Sequence, residues 1–171
     1  MEDDSFYVEL LPEGIKNADT SLKRLLNSLD LDHVYSSPFI RTLQTVRPYS
    51  IENKMKIKTD YGIAEAIQCT SFKDNLNITL SNKEKKYYNV DHLYTSVWNK
   101  SSLKYRESHS QIKYRIKVFI NYLQRTYENT NKNILIVTHM GIVNYILSTL
   151  SSENRKHDDH YDMGKLCTVE D

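Results

Sequence analysis

Ile134-Leu135-Ile136-Val137-Thr138-His139-Met140-Gly141 is the stretch that decides the fold. From Asn133 to Thr138 the chain is a continuous apolar run, the pattern of a strand buried on both faces of a parallel sheet. A helix is predicted from Ile142 to about Leu150, so His139 to Gly141 mark a strand-to-helix junction. In open α/β sheets such junctions line a ligand crevice at the carboxyl ends of the strands. A helix start there offers free N–H groups and a positive dipole end, and anions bind.

Working outward, a second junction is written in Ser36-Ser37-Pro38-Phe39-Ile40-Arg41. His33 to Ser37 is a short strand candidate. Ser37 then predicts an N-cap with Pro38 at the first helical position, the helix covering Phe39 to about Val46 and ending at Pro48. Upstream, a helix entered at Leu10 to Gly14 continues through Ala18, Leu22, Leu25, Leu26 and Leu29. Met55 to Thr59 alternates as a half-buried strand, and Gln111 to Tyr127 is an amphipathic helix burying Ile112, Ile116, Phe119, Ile120 and Leu123. Between them, about 72–110 is polar and irregular, an insertion or lid rather than core. The tail is polar apart from an edge-strand candidate at Leu166 to Val169. Alternating helices and strands predict one α/β domain over 1–171, with a mainly parallel sheet flanked by helices.

Composition narrows the partners. Of 171 residues, 39% are hydrophobic and 26% charged, the balance of a globular chain, and the net charge is only +1. Nucleic-acid domains carry a clear basic excess, so no nucleic-acid partner is expected. No apolar run reaches the length of a membrane span, and the acidic start Met1-Glu2-Asp3-Asp4 is not a signal peptide. Cys69 and Cys167 form no CxxC pair and fit a reducing cytoplasm. HExxH, zinc-type clusters, P-loops and GxGxxG are absent from the sequence, so neither metal nor cofactor is expected.

Two residues at the junctions carry candidate chemistry. Arg41 stands in the first turn of its helix, where a cation is unfavourable unless an anion is shared with the helix end. It would either grip a phosphate through two parallel hydrogen bonds or pair with a nearby carboxylate. His139, just past the apolar strand, would either meet an anion or satisfy local backbone groups. His33, His92 and His109 stand alone in polar surroundings, and His157 and His160 lie in a charged tail.

Taken together, the junctions resemble the histidine phosphatase superfamily, whose fold is phosphoglycerate mutase-like. Ser36-Ser37-Pro38-Phe39-Ile40-Arg41-Thr42-Leu43-Gln44-Thr45 follows its SSPxxRxxQT segment, and Val137-Thr138-His139-Met140-Gly141 its later Ser/Thr-His-x-Gly. Glu65 stands where the family places an acidic residue. Glu107-Ser108 with Arg115 is similar to its ES…R…F stretch, and Leu10 to Ala18 to its LTxxGxxQA helix start.

The resemblance implies phosphoryl transfer through a phosphohistidine. Arg41 would be a phosphate ligand, His139 a phosphate-binding and catalytic histidine, and Glu65 the acid that protonates the leaving oxygen. The partner would be a phosphorylated small molecule or a phosphoprotein. The family's first central strand, ending in Arg-His-Gly with the nucleophile, has no counterpart before Leu10, and none of the six histidines precedes His33. As written, the chain is therefore expected to be impaired or inactive. The alternatives are an active phosphatase or mutase-like enzyme with its start upstream, and a non-catalytic module that binds a phospho-ligand or a protein. Substrate and oligomeric state are not legible.

Overall fold

The computed structural model describes residues 6–66, 78–103 and 106–150. Helix α1 (Pro12–Asn17) opens on Pro12, a residue that suits a first helical turn, and passes through a widened π turn at Ala18–Leu22 into α2 (Lys23–Asn27). Strand β1 (His33–Ser36) leads to α3 (Ile40–Glu52), and β2 (Ile57–Thr59) to a 3-10 turn at Tyr61–Ile63. Then follow α4 (Asn82–Tyr87), a second 3-10 turn (Lys100–Ser102), α5 (His109–Tyr127), β3 (Ile134–Val137) and α6 (Met140–Leu150).

The sheet has the order β2-β1-β3, with both pairings parallel. Val34 stands between Ile57 and Leu135, and Tyr35 between Lys58 and Ile136. Because side chains alternate across a strand, these rows face opposite layers. The Val34 row packs with Leu43, Val46 and Tyr49 of α3, and Tyr35 packs with Ile116 and Phe119 of α5 and Ile142 of α6. The α/β reading with a parallel sheet flanked by helices holds.

Three local expectations change. Strand β3 is not buried on both faces: only Leu135 is fully buried, and among the described residues β3 has a strand neighbour on one side alone. Pro48 does not end α3, which runs on to Glu52. Proline forfeits one helical N–H, but Val46, Tyr49 and Ser50 are buried around it, and their packing outweighs that loss. The described part of 72–110 is not a mere cover, since Ile78, Leu80, Tyr88 and Val90 join the core and Val90 bridges Ile57 in parallel. Its polar residues mask an apolar minority that finds the sheet edge. The tail strand at Leu166 to Val169, His157, His160 and both cysteines lie outside the described residues.

Asp60 ties this segment to the sheet. Fully buried, it accepts from Gly62 N (2.7 Å), Val97 N (2.7 Å) and Tyr94 Oη (2.6 Å). Asp60→Ala removes the acceptor of one buried and two half-buried donors and is expected to cost about 3 kcal/mol, read as a lower urea midpoint. Gly62 follows at a close approach to α5, where an added Cβ would lie 3.0 Å from that of Phe119.

Candidate functional site

Strands β1 and β3 end side by side, Ser36 opposite Val137, so the two junctions meet at one end of the sheet. The Ser37 amide donates to the Val137 carbonyl (2.9 Å) and ties them together. Arg41, the second residue of α3, points its Nη2 at Glu65 Oε2 (3.0 Å) and His139 Nδ1 (3.1 Å). Glu65 Oε2 and His139 Nδ1 are themselves 3.1 Å apart. The carboxylate reading of Arg41 is thus realised, with Glu65 as the partner.

On its other edge, His139 Nε2 lies 2.8 Å from Ser37 Oγ, and the Phe39 ring packs edge-on at 5.0 Å. Ser37 was expected to cap α3; Phe39 takes that position instead. The Ser37 hydroxyl accepts the Phe39 amide (3.4 Å) and turns to the imidazole. Ser37, His139 and Glu65 stand in nucleophile–base–carboxylate order. Ser37 is 0% exposed, however, so it orients the ring and meets no substrate.

The charges follow from burial. His139 is almost wholly buried, which pushes its imidazole below the ordinary value; Glu65 works against this, while Arg41 and Arg115 add to it. For Glu65, burial disfavours the carboxylate, yet the His139 hydrogen bond and charge, the Ala66 amide and Arg41 outweigh it and hold the group at about 2. We assign a neutral imidazole with Nδ1–H given to Glu65 and Nε2 accepting from Ser37, so that Arg41 Nη2 donates to Glu65 and not to Nδ1. The reverse tautomer would set a ring lone pair against a carboxylate.

Acid should therefore loosen the fold in two steps. Below 6.5 the unfolded chain protonates His139 more readily than the folded one, and between 4.5 and about 2 it does so at Glu65. Both contributions vanish as pH falls. Glu65→Gln is expected to remove the lower step from a plot of urea midpoint against pH while the upper one persists.

A model of the histidine phosphatase superfamily (branch 1) matches residues 7–170. The chain belongs to that superfamily. No curated protein matches it significantly. Among solved structures, it is similar to the ecdysone phosphate phosphatase of Bombyx mori, in complex with tungstate, at 18% identity and a TM-score of 0.71. That match covers 96% of this chain and 66% of the other, so the chain spans just under two thirds of its neighbour's length. It is also similar to a mycobacterial glucosyl-3-phosphoglycerate phosphatase bound to VO3, at 13% identity and a TM-score of 0.59, covering 86% of this chain and 71% of that one. At these identities the likeness is one of fold.

Within this member of the histidine phosphatase superfamily, the loop carrying Glu65 is held from behind. Arg115 of α5, 0% exposed, spends all five guanidinium hydrogens. It donates Nε and Nη2 to Glu107 (2.8 and 3.0 Å), Nη1 to the carbonyls of Gly62 and Ala64 (both 2.9 Å), and Nη2 to that of Glu65 (3.0 Å). Thr138 Oγ1 takes the Ile63 carbonyl at 2.7 Å. Four consecutive carbonyls are thereby fixed by two side chains, one of them the neighbour of His139.

The structure brings Arg41, Glu65 and His139 together, the three residues singled out in the sequence. Ser37, Thr138 and Arg115 all stand in the quoted motifs, but their roles, orienting the ring and clamping the 62–65 loop, were not anticipated. One signal was there: Arg115 is a charge set beside Ile112, Ile116 and Phe119 on the apolar face of α5. The remaining described histidines do not join the group. His33 lies beside Lys58, His109 contacts the Tyr145 hydroxyl, and His92 is exposed. Among the described residues no His/Cys/Asp/Glu group suits a metal ion, and no helix is long and apolar enough to cross a membrane.

Proposed function

We propose that Arg41 and His139 bind the phosphoryl group of a phosphorylated small molecule or phosphoprotein, in a chain derived from phosphomonoester phosphatases. The observation that carries this reading is the convergence of Arg41 Nη2, His139 Nδ1 and Glu65 Oε2 within 3.1 Å at the carboxyl ends of β1 and β3. The oxyanions held by the two neighbouring phosphatases, tungstate and VO3, support it. The guanidinium of Arg41 can exchange its carboxylate partner for phosphate oxygens, which it grips in the same planar geometry.

Displacement of Glu65 from Arg41 alters its charge. A phosphate dianion repels the carboxylate and favours the imidazolium, so both Glu65 and His139 rise toward protonation. Glu65 would then carry the proton that a leaving oxygen needs. Phosphate binding is accordingly expected to take up protons, seen in calorimetry as a heat that scales with buffer ionisation enthalpy. A buffer-independent heat would contradict this.

Residues 1–32 contain no histidine. We therefore read the 171-residue chain as one that holds the ester without forming a phosphohistidine. The same reading uses no metal or cofactor and places the protein in the cytoplasm. The test is phosphate binding by calorimetry together with hydrolysis of p-nitrophenyl phosphate without added metal. It compares this chain, an N-terminally extended version and His139→Ala. Binding without turnover is expected. Turnover only in the extended version would mean that the nucleophile lies outside these residues. Robust turnover by this chain, abolished in His139→Ala, would overturn the account of the nucleophile, and absence of phosphate binding would overturn the site.

A further inference from the structure

Phe39 stands at the turn between β1 and α3, two residues before Arg41, and is fully buried. Its ring meets both residues that carry the phosphate reading. The guanidinium carbon of Arg41 lies over its face, 4.9 Å from the centroid. The His139 ring stands nearly perpendicular to it (76°) at 5.0 Å. A cation over an aromatic face within about 6 Å is attracted by the ring quadrupole, and more strongly where water is kept out.

The ring and an anion use different parts of the arginine. A guanidinium donates its hydrogen bonds within its own plane and offers its faces to aromatic rings. The hydrogen bond from Arg41 Nη2 to Glu65 (3.0 Å) is the contact that phosphate would replace. The contact with Phe39 is one that the exchange leaves in place. Without such a support the long side chain samples many rotamers, and ordering it on binding costs affinity.

Phe39 is held in turn from the segment before α1. Phe6, 2% exposed, sets its ring 5.3 Å from that of Phe39, at 67°. Its carbonyl accepts the amide of Ile40, the first residue of α3 (3.4 Å). Further along, the Leu10 amide donates to Gln44 Oε1 of the same helix (2.8 Å). The segment is thereby fastened to α3 at two points, one of them beside Phe39.

We propose that Phe39 is a positioning residue of the site, its ring keeping the Arg41 guanidinium beside His139 while the Glu65 carboxylate gives way to phosphate. The inference rests on the reading of Arg41 and His139 as the phosphate site. Being 0% exposed, Phe39 touches no ligand and acts through these two side chains.

The experiment measures inorganic phosphate binding by calorimetry, and urea unfolding, on the full chain and on Phe39→Leu, Phe39→Met and Phe39→Tyr. The first two keep apolar bulk without a ring and should weaken phosphate binding about 5-fold. Phe39→Met, with its adaptable thioether, serves where Phe39→Leu does not fold. Phe39→Tyr keeps the ring but buries an added hydroxyl, so it should lose stability and still bind within about 2-fold of the parent. Affinity then follows the ring and not the urea midpoint, an ordering that packing alone does not produce. By NMR, the ring should move the Arg41 side-chain proton resonances upfield, and that displacement should survive saturation with phosphate. Parental affinity in the ring-free variants, Phe39→Tyr binding as weakly as they do, or loss of the displacement at saturation would overturn the role of Phe39. Failure of the parent chain to bind phosphate, with the Arg41 displacement intact, would instead remove the site on which that role depends.

Discussion

Arg115→Met is expected to destabilise the fold by about 3–5 kcal/mol, the range for removing one partner of a buried ion pair. The substitution keeps much of the side-chain volume, so the loss comes from polar groups. Glu107, 5% exposed, loses both hydrogen bonds from Arg115, and three carbonyls of the 62–65 loop lose their donor. With total stabilities near 5–15 kcal/mol, such a loss takes a large part of the whole. A double variant, Glu107→Leu with Arg115→Met, separates the two causes. Where buried ion pairs stand alone, apolar replacement of both partners is often close to neutral. Here the orphaned carbonyls persist, so the double variant should recover only the Glu107 share. Urea unfolding of the two single variants and the double reads this directly, and full recovery would show that the clamp adds nothing to the pair.

Arg41→Ala is expected to weaken phosphate binding by about 100-fold or more, since truncating one member of a hydrogen-bonded charge pair costs about 2–5 kcal/mol. Stability should change less than in Arg115→Met, because the Arg41 side chain is 25% exposed and Glu65 keeps its contact with His139. Arg41→Lys retains the charge but not the planar fork, so most of the loss should persist. Calorimetry with inorganic phosphate decides it. An Arg41→Ala chain that binds phosphate as the parent does would mean that the anion sits elsewhere.

The two variants probe different levels of one design. Arg41 touches the space where the phosphoryl group is proposed to sit. Arg115 lies behind that space and acts through the Glu65 loop, holding the carboxylate where Arg41 and His139 find it. Asp60 does the same for the 94–97 loop, holding the Tyr94 hydroxyl and the Val97 amide.

What the sequence by itself determined is local and periodic. An apolar run marked β3 and 3.6-residue spacing marked α5 and the helix from Leu10 to Leu29, because burial of one face leaves a pattern in the order of residues, while Pro38 marked the approach to α3. The two strand-to-helix junctions, with Arg41 after one and His139 within the other, follow from that pattern and the direction of parallel strands. Only the tertiary structure decided the rest. Pro48 stayed inside α3 because its neighbours are buried, and Ile78, Leu80 and Val90 reached the core from a stretch too polar to show a period. Ser37 turned from cap to ring-orienting hydroxyl because His139, 102 residues away in sequence, came within 2.8 Å. Arg115 found its five acceptors on Glu107 and a loop about 50 residues upstream. Hydrogen bonds act over about 3 Å whatever the separation along the chain. For that reason a sequence names the donors, and the folded chain alone chooses their acceptors.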